Sequence, residues 1–188
     1  MNVQDAEIER VLSDMMTSDT GRIKISTIEN LGLALYNADS YLAALCLFEE
    51  QALMAREDEE MGFLKDASNN IGYTLEALGD PDKAMAAYKE EEVICRTHSY
   101  PRDLAVSLIN QAQILTDHKG NIVSGMPLAK EAIKLFHELG ETDFVAKVQA
   151  FIQQYEPDFL FKTDGYNSKK ISHPVINLAD YRYKIEIQ

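Results

Sequence analysis

The sequence predicts an all-α fold, a solenoid of antiparallel helix pairs ending in a short non-helical tail, and three observations carry that prediction. A pattern of small and large residues recurs: Gly32 and Gly72, Ala44 and Ala84, Phe48 and Tyr88, and Arg56 and Arg96 are each 40 residues apart. Turn residues punctuate the pattern at Ala38-Asp39-Ser40, Gly79-Asp80-Pro81 and Gly120-Asn121, with glycine as a helix stop and Asp80 before Pro81 as a cap and first helical residue. Between the turns the apolar residues follow a helical period.

Taken in order, residues 3–17 read as an amphipathic leading helix with Ile8, Val11, Leu12 and Met15 on one face. A repeat cannot bury both faces alone, so this helix is expected to cap the open end of the stack. Helix pairs follow over about 22–59, 60–99 and 100–140. Antiparallel helices approach closely only where small residues sit at the crossing, and a bulky residue four places on fills the space beside it. Gly32 and Ala44 with Phe48 supply this in the first copy, and Gly72 and Ala84 with Tyr88 in the second. In a weaker third copy Gln113, Gly125 and Ala129 stand at the offsets of Gly72, Ala84 and Tyr88, and Ala132 takes a further small position. Thr142 is read as the N-cap of a closing helix over 142–155, with Phe144, Val148, Phe151 and Ile152 facing the last pair.

From Pro157 the helical period fails, and 157–188 is a distinct extension. Its end alternates strictly, Tyr181, Tyr183, Ile185 and Ile187 against Arg182, Lys184, Glu186 and Gln188, which predicts an extended strand over 181–187. Such a strand needs cover from a partner's sheet edge or from this chain's own surface.

The motifs Leu31-Gly32-x-x-Leu35 with Ala44-x-x-x-Phe48, and Ile71-Gly72-x-x-Leu75 with Ala84-x-x-x-Tyr88, resemble the tetratricopeptide repeat signature over about residues 22–140. Two features depart from it: Ser68 stands where the family usually has tryptophan, and no proline closes each repeat. A period near 40 is similar to the longer-helix members, such as kinesin light chains and bacterial signalling regulators. The resemblance implies a right-handed superhelix whose first helices line a concave groove.

Composition bounds the function. The chain has 188 residues, 46% hydrophobic and 26% charged, with 18 Lys and Arg against 31 Asp and Glu, a formal net charge of −13. That charge repels phosphate backbones and anionic lipid, so neither nucleic acid nor a membrane is an expected partner, and a basic or neutral peptide is. The start, MNVQDAEIERVL, has no basic lead and no apolar signal core, which places the protein in the cytoplasm, and Met1 reads as a natural start. Cys46 and Cys95 are read as buried reduced thiols.

No catalytic residue, metal ligand set or cofactor motif is found. His98, His118, His137 and His173 are scattered, and Cys95-x-x-His98 supplies only two of the four ligands a structural zinc needs. The acid runs Glu57 to Glu60 and Glu90 to Glu92 are read as solvated helix surface. What remains is a column of amides on the first helices: Asn30 and Asn70, with Gln111 at the matching place, and Asn69 and Asn110 one residue before. An amide offers donor and acceptor together and can hold a peptide backbone without reading its side chains. In tetratricopeptide proteins similar asparagine ladders bind extended peptides. Carried onto this chain, the groove comprises Asn30, Leu33, Tyr36, Asn69, Asn70, Tyr73, Asn110, Gln111, Ile114 and His118. A clamp for a C-terminal carboxylate lacks its cations, because Glu29, Ser107 and Gln111 hold those places, and Glu29, Glu76 and Asp117 make the groove acidic. The expected function is a noncatalytic adaptor for a peptide segment of a partner. The alternatives are a regulatory sensor filled by a signalling peptide or its own tail, and a noncatalytic subunit of an enzyme assembly.

Overall fold

The computed structural model describes residues 21–163 and 166–167. Seven α-helices follow one another: α1 (Gly21–Asn37), α2 (Tyr41–Glu57), α3 (Met61–Ala77), α4 (Pro81–His98), α5 (Pro101–Gln113), α6 (Ile122–Glu138) and α7 (Thr142–Tyr155). A π-helical turn, Ile114–His118, extends α5. Each helix packs chiefly on its neighbours in sequence, and α1 also touches α3, so the chain is a linear stack of helix pairs. The leading helix over 3–17 and the strand over 181–187 lie outside the described residues.

All six interhelical turns stop the preceding helix in the same way. One residue takes a left-handed backbone, at Asp39, Glu59, Gly79, Ser99, Gly120 and Gly140. At five of the turns the next amide returns to a carbonyl five residues earlier, as in Ser40 N to Leu35 O at 2.9 Å and Asp80 N to Leu75 O at 2.9 Å. At the sixth, after the π-helical turn, the return spans six residues, from Asn121 N to Leu115 O at 2.7 Å. Glycine was the expected stop, and at Asp39, Glu59 and Ser99 a side chain pays the steric cost instead. Asp80 caps α4 as the sequence predicts, accepting from Lys83 N at 3.1 Å with Pro81 behind it. Asn121 does the same for α6. Thr142 corrects the reading at α7: it is the first helical residue, and the cap position is Glu141, without a side-chain bond.

The crossings explain the repeat. A Cβ on Gly32 would lie 2.6 Å from Phe48 Cε1, and one on Gly72 would lie 2.7 Å from Tyr88 Cδ1. Ala44 and Ala84 are fully buried beside them. The third pair inverts the device. Gly125, on the second helix, is the residue without room, since its Cβ would meet Thr116 Cγ2 at 2.8 Å and Ala112 O at 3.0 Å. The buried small residue on the first helix is therefore Ala112, 40 after Gly72, and not Gln113, which is half-exposed. On the second helix the offset from Ala84 to Gly125 is 41. The extra residue falls within the wide turn at Ile114–His118, where Lys119 N bonds Ile114 O at 3.2 Å across five residues.

Past α7 the chain does not leave the body at once. Phe161 is buried against α5–α7 with its ring edge on His137, and its amide bonds Gln149 Oε1 at 3.2 Å. Gln153 donates to Phe159 O at 2.8 Å. A two-residue ladder then pairs β1 (Lys162–Thr163) with β2 (Tyr166–Asn167), antiparallel, Lys162 opposite Asn167. The first part of the extension is thus docked, which loss of the helical period alone does not reveal. Of the cysteines, Cys95 is buried and its thiol is pushed up to about 12, by burial first and then by Glu91. Cys46 is exposed, against expectation, because it lies on the outer side of α2 opposite Ala44 and Phe48.

Candidate peptide-binding face

One face of the first helices α1 and α3 stays open while their other faces bury small and branched residues, whereas α5 is buried along most of its length. On α1 Asn30 is exposed and Leu33 and Tyr36 are half-buried; on α3 Asn70 and Tyr73 are half-buried; His118, past α5, is exposed. Aromatic edges stiffen this face, with Tyr36 against Tyr41 at 5.2 Å and Tyr73 against Tyr88 at 5.7 Å between ring centres. Tyr88 donates its hydroxyl to Glu76.

The remaining residues expected in the groove turn inward. Ile114 is 0% exposed in the cluster around Tyr88, so it is core and cannot touch a ligand. Gln111 is 2% exposed and spends its amide on Glu92 at 2.8 Å. Asn69 donates to both oxygens of Glu91 at 2.9 Å, and Asn110 donates to Tyr73 Oη at 3.1 Å. The register explains the shift. With Ala112 at the crossing, Asn30, Asn70 and Asn110 are equivalent at 40-residue steps, and Gln111 falls beside Leu31 and Ile71 on the core side. The amide column therefore runs Asn30, Asn70, Asn110, its last member already partnered.

Beneath this face lies a polar seam that the acid runs concealed. Glu91 is not solvated: it is 1% exposed, and burial pushes its carboxyl up to about 8 against the pull of the Asn69 amide and of Lys65. Its neighbours fit the surface reading, Glu90 pairing with Arg56 at 2.7 Å and Glu92 with Arg96 at 2.8 Å. Glu29 is pushed up to about 7, by burial and then by Asp66, while Gln51 and Lys65 pull the other way. Lys65 bridges Asp66 at 2.6 Å and Asp103 at 3.1 Å; burial disfavours its charge, yet these carboxylates raise its pKa. One signal could have located the seam. Glu29 and Asn69 are 40 apart, as are Gln51 and Glu91, so two helix pairs carry one acid and one amide at equivalent places with the roles exchanged.

No family model matches the chain, and no curated protein matches it. Among solved structures it is similar to BtubC (BKLC) from P. vanneervenii, with a TM-score of 0.70 over 84% of this chain and 68% of that one, at 16% identity. That likeness is one of fold.

Proposed function

We propose that the chain is a noncatalytic protein-interaction module of tetratricopeptide type, and that an extended basic or neutral peptide of a partner lies along the open face of α1 and α3. The observation that carries the reading is the contrast within the amides. Asn69, Asn110 and Gln111 are committed to Glu91, Tyr73 and Glu92, whereas Asn30 and Asn70 stand at the surface beside Leu33, Tyr36 and Tyr73. Amides next to apolar and aromatic side chains suit a backbone held by hydrogen bonds and anchored by one or two side chains. The net charge of −13 favours a basic ligand and disfavours nucleic acid. Among the described residues no helix is long and apolar enough to cross a membrane.

Affinity capture with the whole chain, followed by mass spectrometry, tests the reading. A large partner retained through a peptide segment fits an adaptor, a co-purified short peptide fits a sensor, and a stoichiometric enzyme fits a noncatalytic subunit. In each case Asn70→Ala should weaken binding roughly two- to tenfold, equivalent to about 0.5–1.5 kcal/mol, with an unchanged melting temperature. Unchanged affinity in the Asn30→Ala, Asn70→Ala double variant would remove these amides from the site.

A further inference from the structure

At the far end of the stack a pair of side-chain amides already holds a stretch of backbone. Gln149 and Gln153 stand one turn apart on α7, so both project from the same side of the helix. Gln153 Nε2 donates to Phe159 O at 2.8 Å, and Gln149 Oε1 accepts from Phe161 N at 3.2 Å. The two amides thus bind the main chain on either side of Leu160 and leave side-chain recognition to other groups. Those groups receive the two rings. Phe161 is 8% exposed, set into the cluster of α5–α7 with His137 at 5.5 Å between ring centres. Phe159 packs on the same cluster, its ring centre 5.4 Å from the Lys130 ammonium. Leu160, between them, is 42% exposed. The pattern held is aromatic-x-aromatic.

The fit is incomplete at one atom. Gln149 is 0% exposed, and its Nε2 finds no hydrogen-bond acceptor among the described residues, although the same amide group holds the Phe161 N–H. The N–H and C=O of one extended residue point to the same edge, so a single partner can exchange both bonds with it. Only one of the two is made here. A buried donor left open is unfavourable, and a segment that brings a carbonyl to Nε2 fits this place better than the chain's own does.

We infer that the Gln149–Gln153 face of α7, with the ring sites beside it, is a second peptide-binding site, whose ligand is an extended aromatic-x-aromatic segment of a partner protein. Residues 159–161 fill it in cis and are displaced when the partner segment arrives. The site shares no residue with the open face of α1 and α3 and does not depend on it. Displacement leaves α7 closed, because Glu156 N bonds Ile152 O at 2.8 Å and the Glu156 carboxylate meets Lys130 at 2.6 Å, both ahead of the segment that leaves. The incoming rings cover the apolar surface that Phe159 and Phe161 vacate. The tether keeps the cis segment at an effective concentration on the order of 1 mM, which sets what a competitor must overcome.

The test uses the full-length chain with 4-fluorophenylalanine at position 161, followed by fluorine NMR as acetyl-Asp-Phe-Leu-Phe-Lys-Thr-amide, the sequence of residues 158–163, is added. The buried signal should give way to a solvent-exposed one, half complete on the order of 1 mM peptide. The same peptide with alanine for both phenylalanines should leave it unmoved. In the full-length Phe159→Ala, Phe161→Ala variant the cis competitor is gone, so the peptide should bind about tenfold or more tightly than to the wild type and raise the melting temperature. Adding Gln153→Leu to that variant should weaken binding about two- to tenfold, the loss of one hydrogen bond. The fluorinated chain keeps its native side chains elsewhere, so it decides the question even if the double variant does not fold. A buried signal that persists at about 10 mM peptide, ten times the tether's effective concentration, overturns the proposal. So does an equal response to the alanine peptide, or undiminished affinity in the folded Gln153→Leu variant. A signal that divides with protein concentration in the absence of peptide would make the occupant a second copy of this chain and overturn the partner assignment.

Discussion

The first and second helix pairs share a crossing and differ in what lies beside it. Gly32 faces Phe48 and Gly72 faces Tyr88, each glycine too close to the ring for a Cβ. Beside the second crossing a hydroxyl reaches Glu76, and Asn69 closes over Glu91. Beside the first the ring has no hydroxyl, and the acid Glu29 is on the first helix with the buried amide Gln51 next to it on the second. A repeat can thus hold its packing constant while exchanging polar groups across one contact. In one copy the acid is sealed beneath the amide, and in the other the acid stays partly exposed.

The largest effect should come from the element the pairs share. Gly72→Leu should cost about 3 kcal/mol or more, at or above the usual range for an overpacked core, because the Tyr88 ring is held by its bond to Glu76. Gly32→Leu should cost less, since Phe48 lacks that tether. Urea unfolding of the two variants measures the difference, and an unchanged midpoint for Gly72→Leu would contradict the crossing assigned here.

The next effect separates the polar pairs by pH. Glu91 rises from an ordinary 4.5 to about 8 in the folded chain, so the folded state binds more protons than the unfolded one between those values. Stability therefore falls as pH rises through this window, on the order of 2 kcal/mol between pH 6 and pH 9 for a group so shifted. Glu29, raised to about 7 and partly exposed, should contribute a smaller share over a lower window. Melting curves of Glu91→Gln should lose most of this slope, and those of Glu29→Gln only part.

Two smaller tests follow. Tyr88→Phe makes the second crossing resemble the first and should cost about 1 kcal/mol, the net value of one hydrogen bond. Glu59→Gly places glycine where a side chain now holds a left-handed turn and should stabilise by about 1 kcal/mol, which thermal unfolding would register.

Much of the fold was legible because its determinants are local and repeated. The 40-residue spacing of Gly32, Ala44 and Phe48 with Gly72, Ala84 and Tyr88 placed four helices and their crossings, and Asp80-Pro81 marked a helix start. The third pair was harder to read. Its glycine sits on the opposite helix and a wide turn absorbs one residue, so spacing alone shifted Gln111 and Ile114 onto the expected groove when both are core. The seam was obscured for a different reason. Glu91 stands among surface acids, and only the fold distinguishes the one that points inward from Glu90 and Glu92, which meet arginines. The exchange of acid and amide between Glu29 with Gln51 and Asn69 with Glu91 was present in the sequence, but it has meaning only once the helices face each other.

Whether a peptide binds along the open face of α1 and α3 can be read by photo-crosslinking. A photoreactive amino acid is placed at position 33 or 73, on that face, or at position 93, where Val93 lies exposed on the second helix α4. Each protein is then irradiated with a peptide of the captured partner. Adducts are expected from positions 33 and 73 and none from 93; adducts from 93, with 33 and 73 silent, would put the peptide on another face of the stack.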